Sequence, residues 1–108
     1  MEIDANTQKI ISELQVIDQK LQGIAMQNHN FKTQMLEIEN ALIELKTAKE
    51  AYKLVGSIVL SVEKKELEKE LNSKKEILDL KLHTSTKQEK MLRKEIEKLQ
   101  NKIKPKNE

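Results

Sequence analysis

The 108-residue chain has no cysteine and no tryptophan, a single proline at 105, two glycines at 23 and 56, and only Phe31 and Tyr52 as aromatics. Without thiols, neither a disulfide nor a thiolate metal site can form. With two aromatics, the bulk that usually fills a globular core is missing, so a compact single domain is not expected. With helix breakers nearly gone, long helices have little to interrupt them. No apolar run is longer than Ile58–Leu60, far short of the roughly 20 residues that span a bilayer, so no membrane association is expected. The opening residues carry Glu2 and Asp4 and no apolar stretch, so no secretory leader is expected and a cytoplasmic location is the simplest inference.

Charge of one sign is also lacking. Twenty Lys and Arg stand against eighteen Asp and Glu, a net charge of +2. The two signs alternate along most of the chain, as on a solvated helix surface, which gives no reason to expect nucleic acid as a partner. The stretch 87–106 is locally basic, with eight Lys or Arg against three Glu. It reads either as a solvated helix end or as a surface for an acidic partner.

What the chain does have is heptad periodicity. Steps of four and three from Ile3 give Thr7, Ile10, Leu14, Ile17, Leu21, Ile24, Asn28, Phe31, Met35, Ile38, Leu42 and Leu45, a seam broken only by Thr7 and Asn28. Such a run over about six heptads specifies a coiled-coil helix, roughly 65 Å long at 1.5 Å per residue. A second seam runs through Leu71, Lys75, Leu78, Leu82, Ser85, Glu89, Leu92, Ile96, Leu99 and Ile103, after which Pro105 ends the helix.

Between the seams lies a segment, Tyr52 to Val62, that is rich in β-branched residues and split by Gly56-Ser57. Gly at the first central position suits a type II′ hairpin turn. Folding back there places residue n level with residue 113 minus n. The two seams then meet apolar to apolar, with Leu14 facing Leu99, Ile17 facing Ile96, Leu21 facing Leu92 and Phe31 facing Leu82. The expected fold is mainly α, an antiparallel two-helix coiled coil joined by one β-hairpin. Two short strands alone are marginal in water and leave both edges open. Val55, Ile58, Leu60 and Val62 fall on one face as an apolar patch, so hairpins of several subunits are expected to join into a shared sheet or barrel.

The segment Tyr52-Lys53-Leu54-Val55-Gly56-Ser57-Ile58-Val59-Leu60, set between two long helices, resembles the hairpin of the prefoldin β family. Ala51 stands where that family usually has valine. The α-type subunits carry two hairpins, for which there is no room here. The resemblance implies one β-type domain over 1–108, with helices at 1–49 and 64–104, the hairpin at 50–63 and a tail at 105–108. It further implies a hexamer of two α and four β subunits whose hairpins form a β-barrel body. The implied activity is that of an ATP-independent holdase, which captures unfolded polypeptide at the coiled-coil tips and passes it to a group II chaperonin. On that plan the oligomerisation residues are Tyr52, Leu54, Val55, Gly56, Ile58, Val59, Leu60 and Val62, and the client-binding tip is Ile3, Ile10, Ile11, Leu99 and Ile103. From the residues alone, the tip reads equally as the fraying end of an ordinary coiled coil.

Midway, Asn28 and Ser85 share a seam layer near Gly23 and Glu89. This waist is expected to be the weakest stretch, because polar seam residues fix register at a cost in stability. His29 and His83 fall near one level, but Asn30, Thr84 and Thr86 beside them are poor ligands, so no metal and no cofactor are expected. No phosphate loop, cysteine nucleophile or metal-binding His-Glu cluster is present, and the chain is not expected to be an enzyme. The competing reading is a structural coiled-coil scaffold or tether in some other assembly.

Overall fold

The computed structural model describes residues 4–103. Their order is α1 (Ala5–Thr47), β1 (Ala51–Val55), β2 (Ile58–Val62) and α2 (Lys64–Ile103). Asp4 caps α1: its Oδ1 accepts from the Thr7 N–H at 2.6 Å and its carbonyl accepts from Gln8 N–H at 3.0 Å, which satisfies donors that the first helical turn leaves orphaned. The Thr7 backbone N–H favours the ionised carboxylate and holds Asp4 below its ordinary range. At α2 the Glu63 carbonyl accepts from Leu67 N–H at 3.0 Å, and Glu66 adds negative charge to the first turn.

Two compact units divide the described residues, one drawn from 4–29 and 83–103, the other from 30–82. In the first, Ile10, Ile17, Leu21 and Leu99 are buried together, with Leu14, Leu92 and Ile96 packed against them. These are the expected seam residues. The early part of α1 meets the late part of α2, so the packing is antiparallel. The core is thin, and none of the described side chains is fully withdrawn from solvent.

The same unit holds the polar layer. Asn28 and Ser85 are both buried. Asn28 Nδ2 donates to Glu89 Oε2 at 3.0 Å, and Glu89 Oε1 accepts from Arg93 Nε and Nη2 at 3.2 Å each. Asn28 Oδ1 and Ser85 Oγ find no partner within the described protein. Leaving a polar group buried and unpaired costs on the order of 1–3 kcal/mol. Converting the layer to leucine (Asn28→Leu with Ser85→Leu) is therefore expected to raise the thermal midpoint by about 5 °C. Calorimetry checks this, and a lowered midpoint would show that the layer is satisfied in some other way.

In the second unit, Leu45, Leu78 and Ala51 are buried, and Phe31, Met35, Ile38, Leu42, Leu71 and Leu82 are half-buried. Lys75 occupies a seam position half-buried, and its Nζ reaches Glu39 Oε1 at 3.3 Å. β1 and β2 pair antiparallel in the register Ala51↔Val62 through Val55↔Ile58, so each pair sums to 113 as the fold-back rule requires. Gly56 has φ of 61° and no other described residue has positive φ. A type I′ turn needs positive φ at both central residues, so with Ser57 negative the turn is type II′.

Candidate functional site

The hairpin register assigns its side chains to two faces. Ala51, Lys53 and Val55 share one face with Ile58, Leu60 and Val62, while Tyr52 and Leu54 share the other with Val59 and Ser61. The first face contains the expected patch of Val55, Ile58, Leu60 and Val62. The second face is apolar too: Leu54 and Val59 occupy alternate strand positions where a half-wet sheet would carry polar residues, and with Tyr52 they are among the expected oligomerisation residues.

Ala51 is buried and Val62 half-buried at the hairpin base, but Tyr52, Leu54, Val55, Ile58, Val59 and Leu60 are all exposed, from Leu60 at 47% to Leu54 at 68%. The sheet has two strands, so the outer backbone edge of each is unpaired among the described residues. Apolar faces on both sides and two open edges are what a strand pair shows when its other layers come from elsewhere.

Among the described residues an ion pair ties the hairpin to α2. Lys53 Nζ lies 2.6 Å from Glu70 Oε1 on α2, and Lys74 Nζ approaches the same oxygen at 3.6 Å. The hydrogen bond from Lys53 holds the Glu70 carboxyl below its ordinary value, against a smaller opposing effect of desolvation. A carboxylate with a depressed folded-state pKa contributes above its unfolded pKa, and the contribution is lost as pH falls through the lowered value. The tie is thus present at neutral pH and lost in acid. Glu70→Gln is expected to flatten the acid limb of hairpin amide exchange measured from pH 7 to 3, and an unchanged profile would contradict the assignment. Next to Lys53 on β1, the Tyr52 hydroxyl donates to a Glu50 carboxylate oxygen, a contact that raises the phenol's pKa because ionising it would set two negative charges together.

The expected tip residues are placed unevenly. Ile3 lies outside the described residues. Ile10 and Leu99 are buried in the first unit's core, at 5% and 7% exposure. Ile11 is half-buried, and Ile103 is exposed at 36%. A ligand reaching Ile10 or Leu99 must first displace the layer that covers them. Among the described tip residues, Ile11 and Ile103 are the ones accessible without unfolding.

His29 and His83 are both exposed, and no group of three or more His, Cys, Asp or Glu residues that could hold a metal occurs among the described residues. No described helix is long and apolar enough to cross a membrane. The ion pairs Glu39–Lys75, Glu70–Lys74 and Glu89–Arg93 sit on helix flanks.

Comparison with known proteins gives a consistent picture. The sequence profile of the family described as "Prefoldin subunit" matches residues 8–108. The chain is 34% identical over 106 residues to the prefoldin subunit beta of Caldivirga maquilingensis, covering 95% of this chain and 88% of that one. It is 32% identical over 111 residues to the prefoldin subunit beta of Archaeoglobus fulgidus, covering 96% of each. Among solved structures it is similar to the prefoldin beta subunit from Thermococcus strain KS-1, with a TM-score of 0.87 at 27% identity over 94% of this chain and 92% of that one.

Proposed function

This chain belongs to the prefoldin subunit family, of β type, a family of chaperones, and on that premise we propose that it is a holdase subunit acting without nucleotide. Its hairpin joins those of α-type and further β-type subunits, two α and four β in all, into a β-barrel body. The helices carry unfolded polypeptide at their far ends and deliver it to a group II chaperonin, all within the cytoplasm.

The observation that carries this reading is the hairpin. Six large apolar side chains are exposed on its two faces while the helices bury their own seam. Apolar surface of that kind gains about 25 cal/mol per Å² when covered, which favours an assembled body over a free chain. Among the described tip residues only Ile11 and Ile103 are accessible, which is little apolar surface for a single arm. Affinity must then come from several arms acting on one client, through effective concentration and not through one strong site.

The test is light scattering of a chemically denatured protein diluted into buffer without nucleotide, with and without this chain assembled with an α-type partner. Holding predicts suppressed aggregation at near-stoichiometric ratios for unrelated denatured proteins, with no further effect of ATP. A coiled-coil scaffold predicts no suppression and stable binding to one folded partner.

A further inference from the structure

The polar layer of the first unit costs stability and still occupies the seam. Asn28 is 8% and Ser85 3% exposed, and each has a buried polar atom without a partner among the described residues, a cost that leucine at both places would remove. The seam residue Glu89 is held from two sides, by Asn28 Nδ2 at 3.0 Å and by Arg93 Nη2 at 3.2 Å. A layer that weakens the helix pair, yet joins α1 to α2 by a directed bond, acts on which helices pair and in what alignment.

The apolar seam does not make that distinction. Sliding α2 by one heptad against α1 sets Leu14 against Leu92 in place of Leu99, and Ile10 against Ile96 in place of Ile103, so like still meets like. The polar residues tell the registers apart. The same slide sets Ser85 against Leu21 and Glu89 against Ile17, and a slide the other way sets Asn28 against Leu92, each a polar group taken from water without a partner. The hairpin aligns the two helices of one chain but has no hold on a helix that arrives from another copy. Pairing of like helices fails on the same residues. In an antiparallel pair of α1 helices Asn28 stands opposite an isoleucine, leucine or phenylalanine in every heptad register. A parallel pair of α1 helices lets Asn28 meet Asn28, yet it leaves two α2 helices whose aligned pairing sets Glu89 against Glu89.

We propose that Asn28, Ser85 and Glu89 form a pairing code, which admits α1 against α2 in one register and excludes mispaired helices of other copies. An assembly gathers several apolar seams at high effective concentration, where a seam that opens would otherwise zip onto its neighbours. The lost stability is what this selectivity costs. The inference goes beyond the holdase reading, because it concerns how the arms stay separate and not what they hold.

The test is disulfide trapping in the full chain, both alone and assembled with a cysteine-free α-type partner. The chain has no cysteine of its own, so each introduced pair reports by itself. Leu14→Cys with Leu99→Cys reads the observed register, Leu14→Cys with Leu92→Cys reads a slide of one heptad, and Leu14→Cys alone reads α1 against α1. Non-reducing gels separate links within a chain from links between chains. With Asn28, Ser85 and Glu89 in place, only the first pair is expected to close, and to close within a chain. Asn28→Leu with Ser85→Leu and Glu89→Leu is expected to melt higher and yet to raise the slid and interchain products at least about tenfold. A layer that merely supported the fold would move the melting point and leave the register alone. Exclusive closure of the first pair in the triple variant would overturn the proposal, and so would slid or interchain products with the three polar residues in place. Should the triple variant not fold, Asn28→Leu with Ser85→Leu decides by the same products. Trapping in the chain alone keeps the outcome independent of assembly and of client holding.

Discussion

Val55→Asp combined with Leu60→Asp is expected to abolish assembly while leaving the helices nearly as they are. Both residues lie on the same hairpin face, next to Ile58 and Val62, and both are exposed in the single chain. In the free subunit the new carboxylates stay hydrated and cost little. In an assembled body each would be taken out of water without a partner, at several kcal/mol per ion, repeated in every copy. Sedimentation velocity reads the oligomer and circular dichroism reads the helix. The expected result is a lone subunit with its helix content kept, and a hexamer that survives both substitutions would show that this face is not covered.

Ile17→Asp is the second large effect, and it falls on the opposite end of the argument. Ile17 is 6% exposed within a core made of only a few side chains. A carboxylate there has no partner among Ile10, Leu21 and Leu99 and is expected to cost about 3–5 kcal/mol, a large share of what so thin a core supplies. Amide exchange should become fast from Leu14 to Leu21 and from Leu92 to Leu99. Val16→Asp, one residue away and half exposed, should change protection hardly at all. Equal effects of the two substitutions would mean that the seam does not hold the helices together.

The seam was legible because a coiled coil writes its packing into a period. Every seam position from Thr7 to Leu45 is buried or half-buried, and so is every one from Leu71 to Leu99, including Lys75, Ser85 and Glu89. The hairpin register was legible for a related reason, because only Gly56 can supply positive φ at the first turn position and the turn then fixes each pair. Depth was less legible. A period says which side of the helix faces the partner helix but not how well the last layer closes, so Ile10 and Leu99 read as tip residues although they are buried. Gly23 entered the sequence reading only as a neighbour of the polar layer, whereas it lines a groove that also takes Met91 and Gln88 from α2. Strand alternation singled out one hairpin face, and Tyr52, Leu54 and Val59 on the other entered only through the family resemblance.

The most direct test of the account compares arms that are gathered with arms that are not. Light scattering of one denatured protein would be followed with wild-type assembly and with the Val55→Asp, Leu60→Asp chain, at the same concentration of arms and without nucleotide. If holding arises from several weak ends that the hairpin body brings together, the assembly suppresses aggregation near stoichiometry and the dispersed chain does not. Equal suppression by the dispersed chain, or none by a verified hexamer, would contradict it.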